Sequence, residues 1–143
     1  VCLMNENFEI VLEYIKDLSA ETPDAETLVF VRNNISKYQM NININSKAVK
    51  NKMIEITTQL TFDDKEKSKK KSFFEISYAT IIRIKKDIKE KKLMEKIIIC
   101  DVQKEVYPRL EKIFLNIIKD SGFPDIRFDK KIDFEKLYTE RFN

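Results

Sequence analysis

Three carboxylates and one aromatic ring are the residues of this sequence best suited to recognition chemistry. Asp17 and Glu21 stand four positions apart where an alternating segment ends, and Phe73 and Glu75 open another such segment. Carboxylates grouped with an apolar side chain on neighbouring strands would make one exposed acidic patch, where charge steers an encounter. The charges alone fit an ordinary solvated surface equally well, because Glu13, Lys16 and Asp24 are close by in sequence. They act together only if both segments lie in one sheet.

Catalytic alternatives are narrowed by what the chain lacks. It has no histidine, which removes His-dependent triads, His general bases and most zinc sites. Its one glycine, Gly122, is too few for phosphate loops, dinucleotide fingerprints or nucleophile elbows. Cys2 and Cys100 lie too far apart in sequence to form a metal-ligand pair and suit a reducing compartment without a disulfide framework. Cys100 follows an isoleucine run and reads as buried packing. The Asp63–Asp64 pair carries no pocket signal. The expectation is a protein that is not an enzyme, with no metal and no cofactor.

The basic cluster Lys65, Lys67, Lys69, Lys70 and Lys71 is offset by Asp63, Asp64 and Glu66, with no arginine or aromatic residue between. A base-stacking platform is missing there, so a solvated turn is the better account, and no nucleic-acid partner is expected. The rival from that class is a small basic RNA-binding module. Net charge is only +3, from 27 basic and 24 acidic residues, which is weak for a dedicated nucleic-acid binder. The longest apolar runs, such as Ile97–Cys100, fall far short of a bilayer span, and residues 1–8 show no export signal. A cytoplasmic protein without membrane insertion is the plain reading.

The elements that would position these groups can be read from periodicity. At 143 residues, with 43% hydrophobic and 36% charged, the chain suits a single globular domain with a charged exterior. Residues 8–18 place apolar side chains at even positions, apart from Lys16, and predict a strand with its even face buried. Residues 19–36 read as a long crossing connection. Tyr38, Met40, Ile42 and Ile44 alternate with polar residues, and Ile54, Ile56, Thr58, Leu60 and Phe62 repeat the pattern. Residues 63–71 form a charged turn, and 72–84 predict a fourth strand with Phe74, Ile76, Tyr78, Ile82 and Ile84 on the even face. Helical spacing follows: a charged first half over 85–96, an apolar stripe from Met94, Ile97 and Ile98, and a new helix opened by Pro108. Leu110, Ile113, Phe114, Ile117 and Ile118 form its apolar face, and Gly122 ends it. Phe134, Leu137, Tyr138 and Phe142 give a short final helix. Four strands (about 8–84) before helices (about 85–142) make an α+β plan.

In that order the chain resembles the SecB protein-export chaperone family. Tyr14-Ile15-Lys16-Asp17-Leu18-Ser19-Ala20-Glu21-Thr22-Pro23-Asp24-Ala25 is similar to the family's first-strand signature, and Phe73-Phe74-Glu75-Ile76 to its fourth-strand segment. Tyr107-Pro108-Arg109 matches the aromatic-Pro segment. Ser121-Gly122-Phe123-Pro124 and Ile132-Asp133-Phe134-Glu135-Lys136-Leu137-Tyr138 resemble the closing patterns. The chain departs in its slight basicity, in Ser77-Tyr78-Ala79-Thr80 where the family has a Gly-rich turn, and in Asp101-Val102-Gln103-Lys104-Glu105 where an apolar stretch builds the contact between dimers.

The resemblance implies a SecB-like fold, a four-stranded antiparallel sheet followed by C-terminal helices, assembled as a dimer or a dimer of dimers (homotetramer). It implies an ATP-independent holdase that binds unfolded precursor polypeptides and delivers them to the SecA motor. The client groove would use Tyr38, Met40, Ile42, Ile54, Ile56 and Phe74. Alternating strands would bury these same residues under a helix as ordinary core. Asp17, Glu21, Phe73 and Glu75 would bind the basic C-terminal tail of SecA. The rival within the family is a chaperone of a toxin–antitoxin pair, binding a disordered antitoxin segment.

Overall fold

The computed structural model describes residues 5–128 and 130–141; Cys2 and Phe142 lie outside the described residues. Strand β1 (Phe8–Glu21) is followed by helix α1 (Ala25–Asn33), then by strands β2 (Tyr38–Val49), β3 (Met53–Asp64) and β4 (Phe73–Ile84). All pairings are antiparallel and the strand order is β1-β4-β3-β2, so β1 and β2 are the two edges. Helix α2 (Lys91–Lys96) runs through a π-helical turn (Ile97–Asp101) into α3 (Val102–Asp120) without leaving helical backbone geometry. Helix α4 (Phe134–Arg141) follows. The plan is the α+β architecture expected from the sequence.

Alternation in β3 and β4 is clean. Ile56, Thr58, Leu60 and Phe62 on β3, and Phe74, Ile76, Tyr78, Thr80 and Ile82 on β4, all point to one buried face. Val102, Val106, Leu110, Phe114 and Ile118 of α3 pack against that face and exclude water. An aromatic chain ties the layers together, from Tyr38 to Phe62 (5.3 Å), Phe62 to Phe128 (5.7 Å) and Phe74 to Phe123 (5.8 Å). The opposite sheet face is polar: Asn41, Asn43 and Asn45 of β2 are exposed, and Thr57, Gln59 and Thr61 of β3 are half-buried.

The structure differs from the sequence expectation in four places, one being that residues 85–90 are not helical and α2 begins only at Lys91. Residues 19–36 are not one long connection: β1 continues to Glu21, and α1 occupies 25–33. Asp24 caps this helix by accepting a 2.8 Å bond from the Thr27 N–H, and Thr27 and Val31 anchor it. Pro108 does not open a helix but lies inside α3. Its missing N–H leaves the Lys104 carbonyl without the usual helical donor, at exposed positions of α3. The fourth difference is in β1, where the even face is not buried throughout. The pairing with β4 shifts between Ile10 and Leu12 and again between Ile15 and Asp17, so Val11 and Lys16 are bulged residues. Each bulge inverts side-chain parity. Leu12 and Tyr14 therefore share the outer face with Asp17, whereas Leu18 lies on the helix side.

Gly122 ends α3 as expected, at φ +108°, a backbone conformation that L side chains rarely adopt. A Cβ there would come within 2.8 Å of Leu28 Cδ1 on α1. The turn after α3 and the outer side of α1 thus depend on one missing methyl group.

Candidate functional site

Register decides whether the predicted acidic residues meet. Opposed residues in an antiparallel pair share a face, and Glu21 opposes Phe73, Ser19 opposes Glu75, and Asp17 opposes Ser77. Asp17, Glu21, Phe73 and Glu75 therefore lie on one face over two adjacent strands, with Asp17 diagonal to Glu75. The two bulges cancel by residue 17, which returns Asp17 and Glu21 to the outer face. Asp17 and Glu21 are exposed, and Phe73 and Glu75 are half-buried. Glu75 is also fixed in place. Gln59 on β3 donates from Nε2 to Glu75 Oε1 at 2.5 Å, which directs that carboxylate across the sheet.

A buried knot sets the upper end of this patch. Tyr38 OH donates to the Ser72 carbonyl at 2.8 Å and accepts from the Ser72 N–H at 2.9 Å. Ser72 Oγ and Thr22 Oγ1 share a 2.6 Å hydrogen bond. The knot joins β2, the end of β1 and the residue before Phe73, so Phe73 opposes Glu21 on a rigid frame. Burial pushes the Tyr38 phenol up to about 12, and it remains a neutral donor over the usable pH range.

Below Asp17 the outer face carries groups that alternation did not assign. Glu55 on β3 accepts from Lys16 Nζ at 2.7 Å and from Tyr14 OH at 3.2 Å. The Lys16 ammonium, helped by the Tyr14 hydroxyl, holds the Glu55 carboxyl below its ordinary value. On the helix side, Arg109 grips Glu13 with Nη2 at 2.7 Å from each carboxylate oxygen, and Tyr78 OH donates to Glu13 Oε1 at 3.2 Å. The arginine of the Tyr107-Pro108-Arg109 segment thereby clamps α3 to the edge strand.

Beyond that clamp β1 is apolar and uncovered on both sides. Leu12 is 59% exposed and Tyr14 41% on the outer face, and Ile15 is 45% and Leu18 42% exposed on the helix side. The signal in the sequence was apolar residues at both parities, Ile10-Val11-Leu12 and Tyr14-Ile15, which one-sided alternation does not account for.

The predicted client residues divide in two. Ile56 and Phe74 are fully buried and Tyr38 nearly so, in the core between the sheet and α3. Met40, Ile42 and Ile54 are half-buried, and Met40 Sδ accepts from Tyr107 OH at 3.8 Å. Ile42 lines a cavity of about 250 Å³ with Ile44, Ile99, Leu137 and Arg141. Ile54 lines another of about 330 Å³ with Ile88, Met94 and Ile98. A third, of about 550 Å³, lies between α1 and the segment after α3, against Arg32, Ile35, Phe123 and Ile126.

The β3–β4 turn is built from ion pairs rather than a stacking surface: Lys70 with Glu26 at 3.7 Å and Lys71 with Asp63 at 3.6 Å. Asp64 accepts from the Glu66 and Ser68 N–H groups and shapes the bend. Among the described residues, no cluster of three or more His, Cys, Asp or Glu is placed to hold a metal. No helix among them is long and apolar enough to cross a membrane.

The four-stranded antiparallel sheet backed by C-terminal helices is a fold that this chain shares with a SecB-like chaperone. The SecB-like chaperone of Mycobacterium tuberculosis, solved with a ChAD peptide from the HigA1 antitoxin, superposes with a TM-score of 0.62 at 7% identity, covering 87% of this chain and 91% of that one. The sequence pattern of the family described as preprotein translocase subunit SecB matches residues 4–143, and this chain belongs to that family. A Pelagibacter ubique protein, provisionally named protein-export protein SecB, is 54% identical over 140 residues, spanning 98% of this chain and all of that protein. The protein-export protein SecB of Parvibaculum lavamentivorans is 24% identical over 132 residues, spanning 92% of this chain and 77% of that protein. Membership of that family gives the chain a chaperone role.

Proposed function

We propose that this chaperone holds unfolded precursor polypeptides without ATP and passes them to the SecA motor in the cytoplasm. The observation that carries the reading is the register of β1 on β4, which sets Glu21 and Glu75 beside Phe73 and Asp17 diagonal to Glu75 on an uncovered sheet face. Three negative charges on one face, two of them beside a half-buried ring, suit the basic C-terminal tail of SecA. Such charges accelerate association and fix its orientation, at the cost of salt sensitivity.

Client capture is assigned to the half-buried wall of Met40, Ile42 and Ile54 and the cavities beside it. Burial there yields about 25 cal/mol per Å² and is indifferent to client sequence. Tyr38, Ile56 and Phe74 support that wall from inside. The edge strand β1, with exposed apolar side chains on both faces, supports self-association into a dimer or dimer of dimers, because an uncovered apolar edge is otherwise an aggregation hazard.

Light scattering during refolding of an aggregation-prone client tests the holdase. The protein in molar excess, without nucleotide, should suppress the signal, and unchanged scattering would end the proposal. Capture of a SecA tail peptide separates the export role from an antitoxin-binding role, which has no use for the acidic patch.

A further inference from the structure

A second charged surface lies at the opposite end of the sheet from the acidic face. Strand β2 turns into β3 through Lys50, Asn51 and Lys52, with Asn51 at φ 63° and Lys52 at φ 61°. That left-handed conformation is costly for a lysine, so the turn itself gives no reason for the residue. The Lys52 carbonyl accepts from the Ile84 N–H at 3.1 Å, which pins the turn to the end of β4. The chain then runs through the irregular segment 85–90 into α2. Ala48 and Ile54 of the hairpin share the walls of the cavity of about 330 Å³ with Ile88, Lys89, Lys91 and Met94. Two basic segments far apart in sequence thus meet at one end of the molecule.

Lys50, Lys52, Lys89, Lys91 and Lys92 are exposed there and make no ion pair among the described residues. Neighbouring Arg83 and Lys86 are taken up by Glu9 at 2.6 Å and Glu6 at 3.4 Å. Asp87 and Glu90 are set among the five lysines, which leaves an excess of positive charge facing solvent. The acidic face is too far away to cancel it. Strand β4 has 12 residues and separates the two ends by roughly 35 Å, several Debye lengths at physiological salt.

The composition of this surface selects its partner. Its one arginine, Arg83, is held by Glu9, and neither segment contains an aromatic ring, so bidentate phosphate recognition and base stacking both lack a group. Compact ammonium groups on flexible stems suit instead a diffuse plane of negative charge. Leu93 of α2, 43% exposed and flanked by Lys91, Lys92 and Lys96, adds an apolar contact of the kind that settles at a lipid interface.

We propose that this end of the sheet is a docking surface for an anionic lipid bilayer, on which the protein rests peripherally through Lys50, Lys52, Lys89, Lys91 and Lys92, with Leu93 at the headgroup level. The inference goes beyond the export reading and uses none of its residues. Anionic headgroups attract each lysine near the surface, and the attraction dies away within a Debye length, so binding is reversible and salt-sensitive. Docking there would concentrate the chaperone at the bilayer while the acidic face, at the far end of β1 and β4, stays clear of the lipid.

Co-sedimentation with vesicles tests this, comparing phosphatidylcholine alone with phosphatidylcholine mixed with phosphatidylglycerol. The protein should sediment with the anionic vesicles only, and be released as salt rises toward 1 M, where screening shortens to about 3 Å. K50Q/K52Q should lower the partition coefficient about 25-fold, since each lysine near such a surface commands about fivefold. K67Q/K69Q removes the same charge from the exposed β3–β4 turn and should stay within about twofold of wild type, because charges beyond a Debye length from the lipid contribute little. Circular dichroism verifies that both variants are folded. Equal sedimentation with uncharged vesicles, an equal loss in both double variants, or tighter retention of single-stranded RNA than of anionic vesicles would each overturn the docking surface, and none of these outcomes bears on client or tail binding.

Discussion

The acidic face makes the most direct claim on function, and its weight can be worked out from the geometry. Replacing Asp17 by Asn and Glu75 by Gln removes two charges while keeping size and hydrogen-bonding shape. The bond from Gln59 to position 75 survives, since an amide oxygen also accepts it. Exposed ion pairs contribute about 0.2–1 kcal/mol each. Exposed Asp17 falls toward the lower end, and half-buried, pre-oriented Glu75 toward the upper. Their sum, about 1–1.5 kcal/mol, predicts Kd for a basic SecA tail peptide weakened roughly five- to twelvefold near physiological salt. Calorimetry at rising ionic strength should show the difference between wild type and double variant shrinking, because the Debye length falls from about 8 Å to about 3 Å between 0.15 M and 1 M. Binding of unfolded client, on the other side of the sheet, should stay within about twofold of wild type. Unchanged tail affinity, or an equal loss in both activities, would refute the assignment of this face.

Two further outcomes concern the scaffold. Gly122→Ala should lower the denaturant midpoint with a loss of about 1–3 kcal/mol, because it combines a disfavoured φ with the 2.8 Å approach to Leu28; a stability equal to wild type would contradict the strained turn. The Thr27 backbone N–H holds the Asp24 carboxyl below its ordinary value, so its contribution is fully present above that value and lost as pH falls through the depressed folded one. Thermal unfolding of Asp24→Asn should therefore be less acid-sensitive than that of wild type between about pH 5 and pH 2, and parallel curves would exclude the cap as a source of that sensitivity.

Much of the fold was legible because β2, β3 and β4 bury one face each, and a period of two survives wherever one face meets helices and the other meets water. The amphipathic face of α3 was readable for the same reason. The cap at Asp24 was present in the sequence but was masked by the polar, Pro-containing composition of residues 19–36. Pro108 misled because its ordinary place is a first helical turn, whereas here it stands on the exposed side of α3.

Composition alone determined that His- and Gly-dependent chemistry is absent, since no packing can supply residues that the chain lacks. Local order determined the four strands, the C-terminal helices and the family they resemble. The tertiary structure alone decided which side chains share a face. Two bulges in β1 turn Leu12 and Tyr14 outward and return Asp17 to the side of Glu75, and a bulge reflects the fit between two strands far apart in sequence. It alone also separated sealed Ile56 and Phe74 from half-buried Met40 and Ile42, and brought the turn of Lys50 and Lys52 to the same end as Lys89 and Lys91, because burial and strand pairing are properties of the assembled layers and leave no mark on either segment by itself.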